Sequence, residues 1–113
     1  MSSNRTKIST VTNASSTIDL PVDTIGSNVF EWYEVFNTHA TIDMWIRTDG
    51  TAAAVATDDN EFVGAKSGTI VRKDAITGTV NGIGVSAGSI TVVVKGLQRV
   101  DLPVGVLPDP EDV

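Results

Sequence analysis

Cysteine is absent from this chain of 113 residues, and histidine occurs once, at His39. Without cysteine the fold has no disulfides and no thiolate ligands for a metal, so packing alone has to stabilise it. A single histidine excludes a metal site built from several imidazoles, and no Gly-x-Ser-x-Gly motif presents a serine nucleophile. We therefore expect a non-enzymatic protein with no catalytic residues, no metal site and no cofactor.

Basic residues are also few, with 8 Lys and Arg against 14 Asp and Glu and a formal net charge of −6. Binding to nucleic acid needs clustered positive charge, so we expect no nucleic-acid partner. No apolar run approaches the roughly 20 residues of a membrane-spanning helix, and we expect no membrane association. The first residues lack the apolar stretch of a signal peptide, which predicts synthesis in a cytoplasm without export.

The residues that are abundant favour β-structure. Val occurs 16 times and Thr 14 times, and both are β-branched side chains that pack well on a pleated surface. No stretch sustains the 3.6-residue apolar period of a helix, and turn signals recur every eight to twelve residues or so. The sequence predicts an all-β fold, a single β-sandwich or small jelly-roll-like barrel of about eight short antiparallel strands with extended N- and C-terminal arms.

The two arms are predicted from composition. Residues 1–16 are polar, with room for one short edge strand, and we predict an arm that can leave the sandwich of residues 17–102. Residues 103–113 are acidic and contain proline, which predicts a second extended arm. The N-terminal arm is the better candidate for attachment to a partner, through two basic and two apolar side chains: Arg5, Lys7, Ile8 and Val11.

Alternation along the strands predicts the core. Two sets of apolar residues at every second position should face inward: Ile90, Val92 and Val94, and Ile42, Met44 and Ile46. The segment 29–38 is apolar on both faces, which indicates a central strand with core on one side and another apolar surface on the other. Residues 76–80 and 84–85 are predicted as short strands joined by a hairpin turn at Asn81-Gly82.

Five of the six aromatic residues lie between positions 30 and 45, which first of all indicates a core. Trp45, however, alternates with Asp43 and Arg47 and should point outward on a polar face. Trp and Arg are common anchors of protein interfaces, but an exposed Trp equally suits stacking on a sugar, and both interpretations stay open. The acidic segment 58–61 lacks the ligand spacing of an EF-hand, so a solvated loop is favoured over a Ca²⁺ site.

Three segments, 33–38, 46–51 and 85–92, contain the motifs Tyr-Glu-Val-Phe-Asn-Thr, Ile-Arg-Thr-Asp-Gly-Thr and Val-Ser-Ala-Gly-Ser-Ile-Thr-Val. Over residues 29–96 the chain resembles small β-sandwich virion structural proteins of tailed bacteriophages. The resemblance implies a capsid decoration or cement protein, located in the virion, that binds the major capsid protein or other virion proteins and forms a homotrimer. The alternatives are a neck or tail accessory protein, and a carbohydrate-binding module that uses Trp45.

Overall fold

A computed structural model describes residues 5–21 and 30–97. The predicted C-terminal arm, residues 103–113, lies outside the described residues, as do Val29 and residues 98–102 of the predicted sandwich. The described residues form strands and turns, with a short 3-10 turn at Lys73–Ala75 and no α-helix among them, which confirms the all-β prediction. The strands are β1 Thr6–Val11, β2 Ser16–Thr17, β3 Trp32–Asn37, β4 Met44–Arg47, β5 Glu61–Val63, β6 Ser67–Arg72, β7 Asn81–Gly84 and β8 Ile90–Leu97.

These strands form two four-stranded antiparallel sheets. Sheet A has the order β1-β8-β3-β6, and sheet B has the order β2-β7-β4-β5. The first strand therefore pairs with the eighth, the second with the seventh, the third with the sixth and the fourth with the fifth. This nesting of pairs is the signature of a long antiparallel ribbon wrapped into a double-sheet jelly roll.

The core lies between the two sheets and is built from alternate residues of their facing surfaces. The predicted inward residues of β8, Ile90, Val92 and Val94, are fully buried, and Met44 and Ile46 of β4 lie opposite them with Ile42 nearby. Both predicted core sets are thus confirmed. The cross-strand register places Val35 beside Val94, so the central strand β3 contributes its odd-numbered residues to the same core.

Replacement of Val92 by Ala should lower the free energy of unfolding by about 1–3 kcal/mol, because it removes buried methyl groups and leaves a cavity. Thr91→Ala is the matched control, since Thr91 is the neighbouring residue on the exposed face of the same strand. Chemical denaturation of both variants measures the effect. Equal stabilities for the two variants would contradict the observed orientation of β8.

The predicted N-terminal arm contains the edge strand for which the prediction left room, but this strand is part of the sandwich and not of a separate arm. Residues 6–11 are strand β1, paired with β8 in a continuous register from Thr6 opposite Lys95 to Val11 opposite Ile90. Val11 is completely buried in the core, and the Ser9 hydroxyl accepts a hydrogen bond of 2.9 Å from the backbone N–H of Asp19. Pairing with β8 therefore holds the segment in the sandwich. Because β8 is distant in sequence, local composition does not reveal this contact.

The predicted strand over residues 76–80 and the predicted turn at Asn81-Gly82 are also wrong. The backbone N–H groups of Thr77 and Gly78 both donate to the carbonyl of Thr48, which ties this segment to the loop after β4. Asn81 and Gly82 instead begin strand β7. Gly82 faces inward, where an added Cβ would come within 2.7 Å of Ile18 Cδ1, so this glycine makes room for a core side chain.

Candidate functional site

The outward face of sheet B carries a row of three apolar side chains. Because Met44 and Ile46 face the core, Trp45 points outward, as predicted, and the register places Phe62 and Ile83 on either side of it. The rings of Trp45 and Phe62 meet edge to face, with their centroids 5.3 Å apart and their planes at 67°. Phe62 is 50% exposed, so the row opens directly to solvent. Phe62, Trp45 and Ile83 are called the aromatic row below.

A fixed ion pair borders the aromatic row. Arg47 follows Trp45 by two residues on the same face, and its Nε and Nη2 atoms donate to the two carboxylate oxygens of Asp49 at 2.8 and 2.9 Å. The Asp59 Oδ2 atom also lies 3.6 Å from Arg47 Nη2. Hydrogen bonds from the Arg47 side chain and from the backbone N–H of Thr51 hold the pKa of the Asp49 carboxyl well below its usual range. The Asp49 carboxylate therefore stays ionised, and the pair stays formed, down to pH values well below the ordinary pKa of aspartate.

The other polar side chains around the aromatic row also bond within the chain. Asn81 Nδ2 donates to the carbonyl of Thr51 at 3.0 Å, and Asn81 Oδ1 accepts from the Thr17 hydroxyl at 3.5 Å. Asp43 accepts a hydrogen bond of 2.8 Å from the backbone N–H of Ala65. The border of the aromatic row thus consists of polar groups that already have partners.

Sheet A has a second apolar surface on its outward face. Ile8, Val93 and Phe36 stand directly side by side on three neighbouring strands, and Ile8 is 65% exposed. In the next row of the same face, Lys95 stands opposite Glu34. Sequence reasoning identified β3 as a strand with two apolar faces, but the row itself is assembled from strands far apart in the chain and only the register reveals it.

The aromatic cluster of the sequence is distributed over three environments. Phe30 and Tyr33 pack edge to face in the core at a centroid distance of 6.2 Å, above Gly96, where an added Cβ would clash with the Phe30 ring. Burial raises the pKa of the Tyr33 hydroxyl. On the outward side of sheet A, Trp32 is nonetheless buried and Phe36 is half-buried, whereas Trp45 is half-buried on the outward face of sheet B.

The six residues predicted to bind a partner do not form one site. Trp45 and Arg47 lie together on sheet B, whereas Lys7 and Ile8 are exposed on β1 of sheet A. The Arg5 guanidinium lies 5.8 Å from the centre of the Phe30 ring at the start of the same strand. Val11 is fully buried. Its prediction as an apolar anchor for a partner is wrong, because its side chain faces the core between the two sheets.

His39 organises a turn between the two sheets. Its Nδ1 atom accepts backbone hydrogen bonds from Thr41 and Ile42, each 3.0 Å long. In the acidic segment 58–61, Asn60 is buried and its Oδ1 accepts a hydrogen bond from the backbone N–H of Ala54. In residues 5–21 and 30–97, no group of three or more His, Asp or Glu side chains is placed to hold a metal ion.

Comparisons with known proteins give no relative: no family model, no curated protein and no solved structure matches the chain. Among the described residues there is also no helix with the length and apolar character needed to cross a membrane. The structure and site define an all-β jelly-roll sandwich with an apolar surface on each outward face.

Proposed function

We propose that this chain is a non-enzymatic structural protein of a bacteriophage virion, a capsid decoration protein that binds the lattice of the major capsid protein. Two points support this proposal: the resemblance of residues 29–96 to small virion proteins, and a jelly-roll architecture that is common in viral capsid domains. The same architecture also occurs in lectins and cupins, and a fold does not by itself imply a function. The argument for a protein partner therefore depends on the surface.

The aromatic row on sheet B is the observation that carries the proposal. An apolar centre with aromatic side chains and a polar border is the usual anatomy of a protein interface. The bordering side chains of Arg47 and Asn81 already have partners within the chain, so a protein surface can cover the row without leaving these groups unpaired. With β1 held in the sandwich, this face replaces the N-terminal arm as the attachment surface.

A carbohydrate is the second candidate ligand for this face, because Trp45 and Phe62 offer aromatic rings beside polar groups. A bound sugar, however, presents many hydroxyl groups that need hydrogen-bond partners. The polar groups at the border would have to exchange their present bonds to supply them. A protein partner is therefore the better match to this surface.

The combined replacement of Trp45 and Phe62 by Ala should weaken binding to capsid shells by about tenfold or more, since interface aromatics carry much of the binding energy. Co-sedimentation with shells of the major capsid protein encoded by the same phage measures the binding. Val55→Ala is the matched control, because Val55 is a 42% exposed apolar residue outside the row. Unchanged co-sedimentation of the double variant would contradict attachment through this face.

A titration of the native protein with oligosaccharides, followed by tryptophan fluorescence, tests the second candidate. A saturable change in emission that disappears in Trp45→Phe would favour the carbohydrate interpretation and would overturn the proposed protein contact at this face. Trp32 is only 4% exposed, so it provides a constant background emission in both proteins.

A further inference from the structure

The outward face of sheet A carries a positive and a negative side chain at neighbouring positions on its two central strands. Lys95 of β8 and Glu34 of β3 stand directly opposite each other on the two central strands of the sheet. Neither side chain has an ion-pair partner within the described residues. Lys95 is exposed and Glu34 is half-buried. A second surface with the same two charges in exchanged positions would pair with both of them.

We propose that this face binds a second copy of the chain, in an isologous dimer whose two-fold axis lies in the interface, parallel to the strands and midway between β8 and β3. Such an axis places β8 of one copy over β3 of the other. Lys95 of each copy then meets Glu34 of the partner copy, which gives two ion pairs from one contact. A two-fold interface requires this reciprocity, in which each surface is its own complement.

The same axis also matches the apolar side chains. Val93 of one copy lies over Phe36 of the other, and the exposed Ile8 of the edge strand β1 lies over Gly68 of the opposite edge strand β6. The Phe36 ring leans toward Gly68, where an added Cβ would stand 3.0 Å from Phe36 Cδ1. The exposed Ile8 side chain of one copy therefore meets Gly68 of the other copy, where there is no side chain, and lies beside the Phe36 ring.

This arrangement differs from the homotrimer expected from the resemblance. A cyclic trimer joins two unlike surfaces of each subunit, so it would not use the reciprocal pairing of Lys95 with Glu34. The proposal is also independent of attachment to a capsid, because the sheet A face and the aromatic row of sheet B are on opposite sides of the sandwich. Failure of one proposal leaves the other standing.

Sedimentation velocity across a dilution series tests the dimer, with an expected mass of about twice the 11.9 kDa of the chain at high concentration. Lys95→Glu and Glu34→Lys should each raise the dimer dissociation constant by about tenfold or more, because each change creates two like-charge contacts. The double variant with both charges exchanged restores the opposite-sign contacts, and its dissociation constant should return close to that of the native protein.

Thermal unfolding of each variant separates loss of association from loss of folding. Lys73→Glu is the matched charge reversal outside this face, on the exposed 3-10 turn, and should leave dimerisation unchanged. A mass of one chain at all concentrations, or a mass of three chains, would overturn the two-fold proposal. So would a charge-exchanged double variant that folds normally and stays as weak in association as the single variants.

Discussion

Removal of residues 2–12 should unfold the protein, or bring its stability close to zero. The deletion takes away all of β1, with its six-residue register against β8 and the buried side chain of Val11. Burial of one valine is worth about 1.5–3 kcal/mol, and the exposed edge of β8 adds the loss of backbone pairing. The sum is a large fraction of the roughly 5–15 kcal/mol that stabilises a typical domain. Circular dichroism with thermal melting of the truncated protein measures the result.

Two point substitutions provide the control for this deletion. Val11→Lys should be nearly as damaging as the deletion, because it places a charge in the core without a partner. Thr10→Lys should be tolerated, since Thr10 faces solvent on the same strand. A free arm would tolerate both substitutions and the deletion alike. That pattern would show that β1 contributes nothing to the fold.

The second large effect is expected at Asn37, the last residue of β3. Its side chain is completely buried, and its Nδ2 donates to the carbonyls of Ile42 at 2.8 Å and Val63 at 3.3 Å. Its Oδ1 accepts the backbone N–H of His39 at 2.9 Å. One amide of sheet A thus bonds to a strand of sheet B and to the connection between the two sheets. Asn37 thus connects sheet A to sheet B at the point where the chain passes from one sheet to the other.

Replacement of Asn37 by Leu, which has a similar volume, should lower the free energy of unfolding by about 3 kcal/mol or more. Two carbonyl groups at buried positions and one part-buried N–H group would each lose a hydrogen bond, and each buried group left unpaired costs about 1–3 kcal/mol. Denaturant unfolding measures the change.

Thr38→Val is the control for Asn37, because the Thr38 hydroxyl bonds to the carbonyl of Thr91 at an exposed position where water can replace it. We expect a cost within about 1 kcal/mol for this control. Similar stabilities for Asn37→Leu and Thr38→Val would show that the Asn37 amide does not hold the sheets together.

The sequence predicted one residue of the aromatic row but not the residues beside it. Trp45 was predicted to be outward because alternation with Met44 and Ile46 is a local property of one strand, and the structure confirms it. Its neighbours Phe62 and Ile83 come from two other strands, and no local signal connects them to Trp45. The same limit applied to the row of Ile8, Val93 and Phe36 on sheet A.

The amino-acid sequence alone determined the class of fold and the inner faces of the longest strands. Abundant Val and Thr favour a pleated backbone, and a period of two along β4 and β8 separates core from surface residue by residue. These are properties that act within a few residues of each other, so they can be read without knowledge of the rest of the chain.

Only the tertiary structure decided which strands pair, and with that the role of each ambiguous segment. The polar β1 became an edge strand because β8, some eighty residues later, supplies its backbone hydrogen bonds. Asn81-Gly82 became part of β7 instead of a turn because β4 pairs with it and Ile18 fills the space above the glycine. In a jelly roll the nested pairs join the two ends of the chain, and such distant contacts outweigh the weak local preferences of short polar segments.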